Sequence, residues 1–224
     1  MPDPTAPAGA TALPGGLRSS KAAIDLIVTE EVGSFSQYLW LYQHPDWPGG
    51  ASGVTIGIGY DCGYAQRAEI FADWGKLLPA AMVDALAACA GISGPPAHSH
   101  AAALRGVVTV SWEAAMAVFM TRDLPKWEGL VERALPNTDR LSADSFGALV
   151  SLAYNRGADG FNAGGDRDRE MHAIRQHMAL RMFEDIPDDI RAMKRLWPNV
   201  TDLRLRRDHE AALFEKGLLP EAVA

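Results

Sequence analysis

Three side chains in the first third of the chain, Glu31, Thr55 and Asp61, have the types and order for acid–base chemistry on an extended polymer. Glu31 closes a run, KAAIDLIVTEEV, that reads as a helix with Ser19 or Ser20 as its cap. On a wheel turning about 100° per residue, Ala23, Ile24, Ile27 and Val28 define an apolar face. Glu31 falls near the middle of that face, and Glu30 falls off it toward solvent. A carboxyl group pressed on an apolar face is disfavoured in its charged form. That suits a general acid of the kind glycoside hydrolysis requires. A solvated or Arg-paired Glu at a helix end is the plainer reading, and the wheel alone favours it.

Thr55 and Asp61 belong to GVTIGIGYD, which alternates as a strand does. Val54, Ile56, Ile58 and Tyr60 share an apolar face, while Thr55, Gly57, Gly59 and Asp61 share the other. The second face is a bare backbone shelf with a hydroxyl at one end and a carboxylate at the other. Glycine within a strand often marks close approach of a ligand or another backbone. Gly57, Gly59 and Tyr60 are therefore candidate substrate contacts. A straight strand rises ~3.3 Å per residue, so Thr55 and Asp61 would lie roughly 20 Å apart. For both to serve one bond, the chain must bend at Gly57 or Gly59, or turn back after Tyr60. The preceding stretch holds Tyr38, Trp40, Tyr42 and Trp47. Aromatic faces suit the C–H faces of sugars, and Trp47 is a candidate platform; core packing is the expectation for at least half of these rings.

The elements that must position these groups are mostly helical. Residues 1–18 are rich in Pro, Ala and Gly and read as a flexible tail, followed by a single domain over 19–224. Apolar residues at helical spacing mark segments near 64–75, 77–90, 111–132, 142–156, 167–182, 187–196 and 201–217. GISGPPAH, residues 91–98, reads as a loop, and Pro125 should kink or split its helix. Many helices with one small early sheet make a mostly helical α+β fold.

Other chemistries find no support. GGASG lacks the spacing of a G-x-S-x-G elbow, and GIGYDCG lacks the Lys-Ser/Thr ending of a phosphate loop. His98 and His100 have no clustered carboxylate or cysteine partner, so no metal or cofactor is expected. His172 and His177 share no helix face. Cys62 and Cys89 are free thiols or one disulfide. A net charge of −7 argues against non-specific nucleic-acid binding, so any polyanion must meet a local basic patch. Residues 1–16 lack the basic and apolar regions of a signal peptide, and no stretch is apolar enough to span a membrane.

A Glu ending an early helix, an aromatic stretch and then TIGIGY resemble the phage-type lysozymes and endolysins. DSFGALVSLAYNRG, residues 144–157, is similar to the helix that crosses the middle of that fold. LRLRRDHEAALF, residues 203–214, is similar to its Arg-rich C-terminal helix. The resemblance is closer to pesticin-type lysozyme domains, where the aspartate follows the threonine motif. It implies a two-lobed lysozyme-like fold with a small antiparallel sheet near the N-terminus. It further implies a muramidase that cuts the β-1,4 link between N-acetylmuramic acid and N-acetylglucosamine. Glu31 would be the general acid, Thr55 a polar group near the attacking water, and Asp61 the second carboxylate. In ordinary phage endolysins the aspartate precedes the threonine; that position is Gly49 here, with Asp46 nearby as the alternative. Arg204, or less well Arg207, matches the arginine that pairs with the acid. Asn155 lies either on the cleft floor or at a plain helix C-cap. A carboxyl separation of about 5–5.5 Å would favour a retaining path and ~6.5–9.5 Å an inverting one. The implied partner is the peptidoglycan glycan strand, met by a monomer made in the cytoplasm and acting in the periplasm or cell wall. The protein would serve as an endolysin released through a holin, or as an antibacterial effector with a secretion route and an immunity protein. A lytic transglycosylase, or an inert peptidoglycan-binding protein on the same fold, is the alternative.

Overall fold

The computed structural model describes residues 16–219. The helices are α1 (Lys21–Val32), α2 (Phe35–Gln37), α3 (Arg67–Trp74), α4 (Ala80–Ala87), α5 (Pro95–Leu104), α6 (Trp112–Val118), α7 (Leu124–Ala134), α8 (Ala143–Arg156), α9 (Arg169–Leu180), α10 (Ile186–Ala192) and α11 (Thr201–Leu218). Strands β1 (Thr55–Ile56) and β2 (Tyr60–Asp61) form one antiparallel hairpin. The described chain divides into two compact units. The first is Glu31–Leu124; the second holds residues 16–30 and 125–219. The first boundary falls inside α1, between Glu30 and Glu31, and the second at the first peptide of α7.

In the first unit, α2 opens with a capping box: Ser34 accepts from the Gln37 amide, and the Gln37 side chain accepts from Ser34 N–H. A π-helical turn, Tyr38–Tyr42, follows. The hairpin's apolar side, Val54, Ile56, Ile58 and Tyr60, is 0–2% exposed and joins Ile70, Trp74, Val83, Leu86 and Phe119 in this unit's core. A second π-helical turn, Phe119–Asp123, precedes Pro125, with Leu124 N–H bonded to Phe119 C=O. Proline lacks an amide and collides with the carbonyl four residues back, so a widened turn at this point relieves the helix that the sequence reading expected to split.

In the second unit, α8 carries nine consecutive buried residues, Ser145–Ala153. Ser142 caps it by accepting from the Ser145 amide, and Gly157 closes it at φ 84°, in the left-handed region. Gly147 lies so close to the Ala23 methyl of α1 that no side chain fits there. Ser145 Oγ donates to Phe214 C=O at 2.9 Å, joining α8 to α11.

Residues 1–15 of the expected tail lie outside the described residues. The last part of it is anchored. Arg18 stacks on the Phe146 ring at 4.0 Å and donates to Thr138 C=O at 2.7 Å. Its amide and that of Ser19 donate to Glu128, which is 5% exposed. Ser20 Oγ then caps α1 by accepting from the Ala23 amide. Two further expectations are corrected. The 91–98 loop becomes helix from Pro95, because two prolines at the first turn need no amide partners and Ala97 and Ala101 supply a buried face. Glu30 is not directed to open solvent; its side chain is 15% exposed and accepts from His209 Nδ1 at 2.8 Å, because α11 covers it. Replacing Glu128 with Ala should destabilise the protein by about 1–3 kcal/mol, since two amides lose a buried charged acceptor. Urea unfolding will show a lower midpoint with helical content retained; an unmoved midpoint would mean that the carboxylate anchors nothing.

Candidate active site

Glu31 is the penultimate residue of α1, two residues before the Gly33 break, and it is half-buried. It is also the first residue of the unit that carries the hairpin.

The single strand read from alternation is instead a hairpin. Gly57 and Gly59 take φ 62° and 76°, left-handed values that glycine tolerates, and the chain reverses between them. Thr55 therefore pairs directly with Asp61, and Ile56 with Tyr60. A third segment adds to this ladder. Asp46 N–H donates to Thr55 C=O at 3.0 Å and Thr55 N–H to Asp46 C=O at 2.8 Å. Both polar groups of Thr55 thus face Asp46, so Thr55 and Asp61 form the non-hydrogen-bonded kind of pair. The bond from Cys62 N–H to Val54 C=O, one residue out, agrees with this. Directly paired residues project to one face, with Cα atoms about 5.5 Å apart in the first kind of pair and about 4.5 Å in the second. Asp46, Thr55 and Asp61 consequently form one row with the hydroxyl in the middle.

The two carboxylates in this row differ. Asp61 accepts from Gly53 N–H on both oxygens, at 3.0 and 2.9 Å, and from Gly63 N–H at 2.8 Å. It also caps the short 3-10 turn Cys62–Tyr64. A Cβ on Gly53 would strike that carboxylate and the Gly63 backbone. Asp46 is 54% exposed at its side chain and pairs with Arg105 Nη1 at 3.5 Å.

Arg105 is the C-cap of α5, which lies along this edge and is fixed at both ends. Gly94 N–H donates to Ser52 C=O before the helix; after it, His44 Nδ1 meets Val108 C=O and Val110 N–H donates to Gln43 C=O. Between these ties, His98 meets the Trp47 ring edge-on at 5.4 Å, while Trp47 Nε1 donates to Ser52 C=O. The sequence reading missed Arg105. The available signal was its seven-residue spacing from His98, which is two helical turns and one face.

Several expected contacts sit elsewhere. Gly57 is buried, and a Cβ there would lie 3.2 Å from Trp74 and 3.4 Å from Ala115; close packing, not an open shelf, requires glycine at this position. Tyr60 is 2% exposed and donates to Asp73 Oδ2 at 2.8 Å, beneath the Arg122 guanidinium at 4.3 Å. Burial and the Asp73 hydrogen bond push its phenol far above the ordinary range. Arg122 in turn holds Asp73 and Asp123 at 2.5 and 2.8 Å. Tyr60 is thus a rivet between hairpin and helices. Gly59 is exposed at the tip of the turn. Of the aromatics, Tyr38 is core and donates to Val110 C=O, whereas Trp40 is 80% exposed.

In the second unit, Asn155 Oδ1 accepts from Arg207 Nη2 at 3.1 Å, and Gly157, not Asn155, ends the helix. Arg204, expected to be the pairing arginine, is half-buried and donates to Lys194 C=O. It lies in the first turn of α11, while the buried stripe begins with Arg206 and Arg207. Those two surround Glu210, which also accepts from Ser151 Oγ at 2.8 Å. Burial pulls the Arg207 guanidinium down and pushes the Glu210 carboxyl up, with their mutual attraction opposing both. Cys62 and Cys89 are free and buried, and burial raises both thiols. Among the described residues, no group of three His, Cys, Asp or Glu side chains is placed to hold a metal, and no helix is long and apolar enough to cross a membrane.

No family model and no curated protein matches the sequence. Among solved structures, the chain is similar to the active form of P1 phage endolysin Lyz, with a TM-score of 0.53 and 18% identity over 93% of this chain and 90% of that one. At that identity the likeness speaks to architecture alone: the fold is lysozyme-like, mostly helical with one small antiparallel sheet.

Proposed function

We propose that the protein is a peptidoglycan hydrolase, a muramidase that cleaves the β-1,4 bond between N-acetylmuramic acid and N-acetylglucosamine. The observation that carries this reading is the row Asp46–Thr55–Asp61, displayed on a glycine-turned hairpin in the same unit as a helix-terminal Glu31. Protonated Glu31 gives its proton to the leaving glycosidic oxygen. On the hairpin, Thr55 and a flanking carboxylate hold the water or stabilise oxocarbenium-like charge. Asp61 has both oxygens engaged by the amides of Gly53 and Gly63 and acts as a positioning residue for Thr55. Asp46 has an exposed carboxylate beside the same hydroxyl and is the group available to the water. Delivery as an endolysin or as a pesticin-like antibacterial effector, with holin, secretion machinery or immunity protein as partners, fits this chemistry equally.

One observation favours a second reading. If the occupied oxygens of Asp61 mean that no second carboxylate is used, the chemistry is that of a lytic transglycosylase, whose product carries an anhydro ring.

Purified protein and Glu31→Gln, each added to isolated peptidoglycan, separate these readings by mass spectrometry of the released muropeptides. Reducing-end muramic products are expected from the unaltered protein, with at least about a hundredfold loss in Glu31→Gln. Anhydro products would establish the transglycosylase. Binding without cleavage by both proteins would leave a peptidoglycan-binding module. Within the row, Asp46→Asn should lower turnover with thermal stability unchanged. Asp61→Asn presents an amide to backbone N–H donors and should cost about 1–3 kcal/mol in urea unfolding. Full turnover in Asp46→Asn with stability intact would return the second-carboxylate role to Asp61.

A further inference from the structure

Charge in the first unit is unevenly distributed. Between Glu31 and Leu124 there are eight acidic side chains and four basic ones, Arg67, Lys76, Arg105 and Arg122. Arg122 is spent on Asp73 and Asp123 beneath the hairpin. Arg67 lies on the Phe71 ring and 3.6 Å from Asp84. Arg105 is the cation that touches the Asp46–Thr55–Asp61 row. An anionic polymer approaching this row meets the carboxylates of Asp46 and Asp61 on the row itself and a cation at Arg105.

The hold on Arg105 is loose. One nitrogen reaches one Asp46 oxygen at 3.5 Å, with both side chains 54% exposed. A guanidinium has five N–H donors in a fixed fork that matches a carboxylate, so most of that capacity is open. Its backbone is held firmly. Arg105 N–H closes α5 onto Ala101 C=O, and the helix is tied to residues 43–53 at both ends. Two turns back on the same face, about 10 Å along the axis, His98 supports Trp47. The result is an aromatic platform and an available guanidinium on one edge, with Asp46 and Thr55 beside them.

We propose that Arg105 is a specificity determinant: it binds a carboxylate of the acidic peptide substituent borne by alternate sugars of the glycan strand. This rests on the peptidoglycan reading above and names the part of the substrate that the row's own edge selects. A β-1,4 strand of unsubstituted N-acetylglucosamine has the same backbone and no such anion, so it gains nothing from Arg105.

Binding is measured by calorimetry with the full chain, unaltered and as Arg105→Gln and Arg105→Lys. The two probes are a disaccharide–dipeptide carrying free carboxylates and neutral chitotetraose. Hydrolysis of peptidoglycan is followed separately. The unaltered protein should prefer the acidic probe, and Arg105→Gln should lose about tenfold in affinity for it while chitotetraose is unaffected, as expected for removing a hydrogen-bonded charge. Arg105→Lys, which keeps the charge without the fork, should recover part of the loss. In peptidoglycan hydrolysis the loss should fall on KM. Equal binding of both probes by the unaltered protein, or a preference that survives Arg105→Gln, overturns the assignment. So does an equal fall in kcat with binding unchanged, which would make Arg105 a support for Asp46. A preference abolished by Arg105→Gln in a protein that cleaves nothing would sustain the assignment and refute the hydrolase.

Discussion

Two backbone amides, those of Gly53 and Gly63, converge on the Asp61 carboxylate and fix the geometry of the candidate site. A two-residue ladder is too short to hold its own register, and antiparallel pairs this small are marginal in water. Here a charged acceptor takes the place of further ladder bonds: Gly53 N–H and Gly63 N–H, one on either side of the hairpin, are bound to the same side chain. Charge-assisted hydrogen bonds of this sort are shorter and stronger than neutral ones. Their consequence runs outward. Gly53 and Gly63 must lack side chains to come so close, Thr55 is held opposite Asp61, and Asp46 completes the row from the other edge.

The second unit solves a comparable problem at higher cost. Arg206, Arg207 and Glu210 are 0–3% exposed, and their register against α8 is set through Ser151 and Asn155. Buried ion pairs seldom add net stability, because desolvation consumes most of the attraction, but breaking one leaves an uncompensated charge. Such a cluster penalises any other alignment of α11 on α8. Backbone amides do this work around Asp61 and side chains do it around Glu210. The difference follows from the elements joined: a hairpin exposes amides, whereas two packed helices have already used theirs.

How much of this was legible from residues alone depended on whether a pattern had one physical cause. The long helices were legible because their apolar spacing reflects a single buried stripe. The hairpin was half legible. Val54, Ile56, Ile58 and Tyr60 are all buried, including Ile58 at the turn, so alternation runs through the reversal without a break. Only the glycines at positions 57 and 59 hinted at it, and what they allow is a turn and tight packing instead of a sugar shelf. Helix α5 was illegible because its buried face is two alanines, too small to register as a stripe. The pairing of Asp46 with Thr55 depends on how residues 48–52 turn, which no periodicity encodes. Glu30 and Arg204 show the remaining limit: a helical wheel gives a direction but not the neighbour standing there, α11 in one case and the Lys194 carbonyl in the other.

The way α5 is mounted bears on how a protein of this kind can diversify. Its ties to residues 43–53 run through Ser52, Gln43 and the main chain around Val108 and Val110, and its inward contacts are methyl groups. Almost none of the outward-facing letters from Pro96 to Arg105 takes part in holding the helix in place. That outer surface can therefore be rewritten by point changes while the row beside it keeps its register. On the proposed reading, recognition and reaction are in this sense written on separate pages of one fold, and the first can change while the second stays intact.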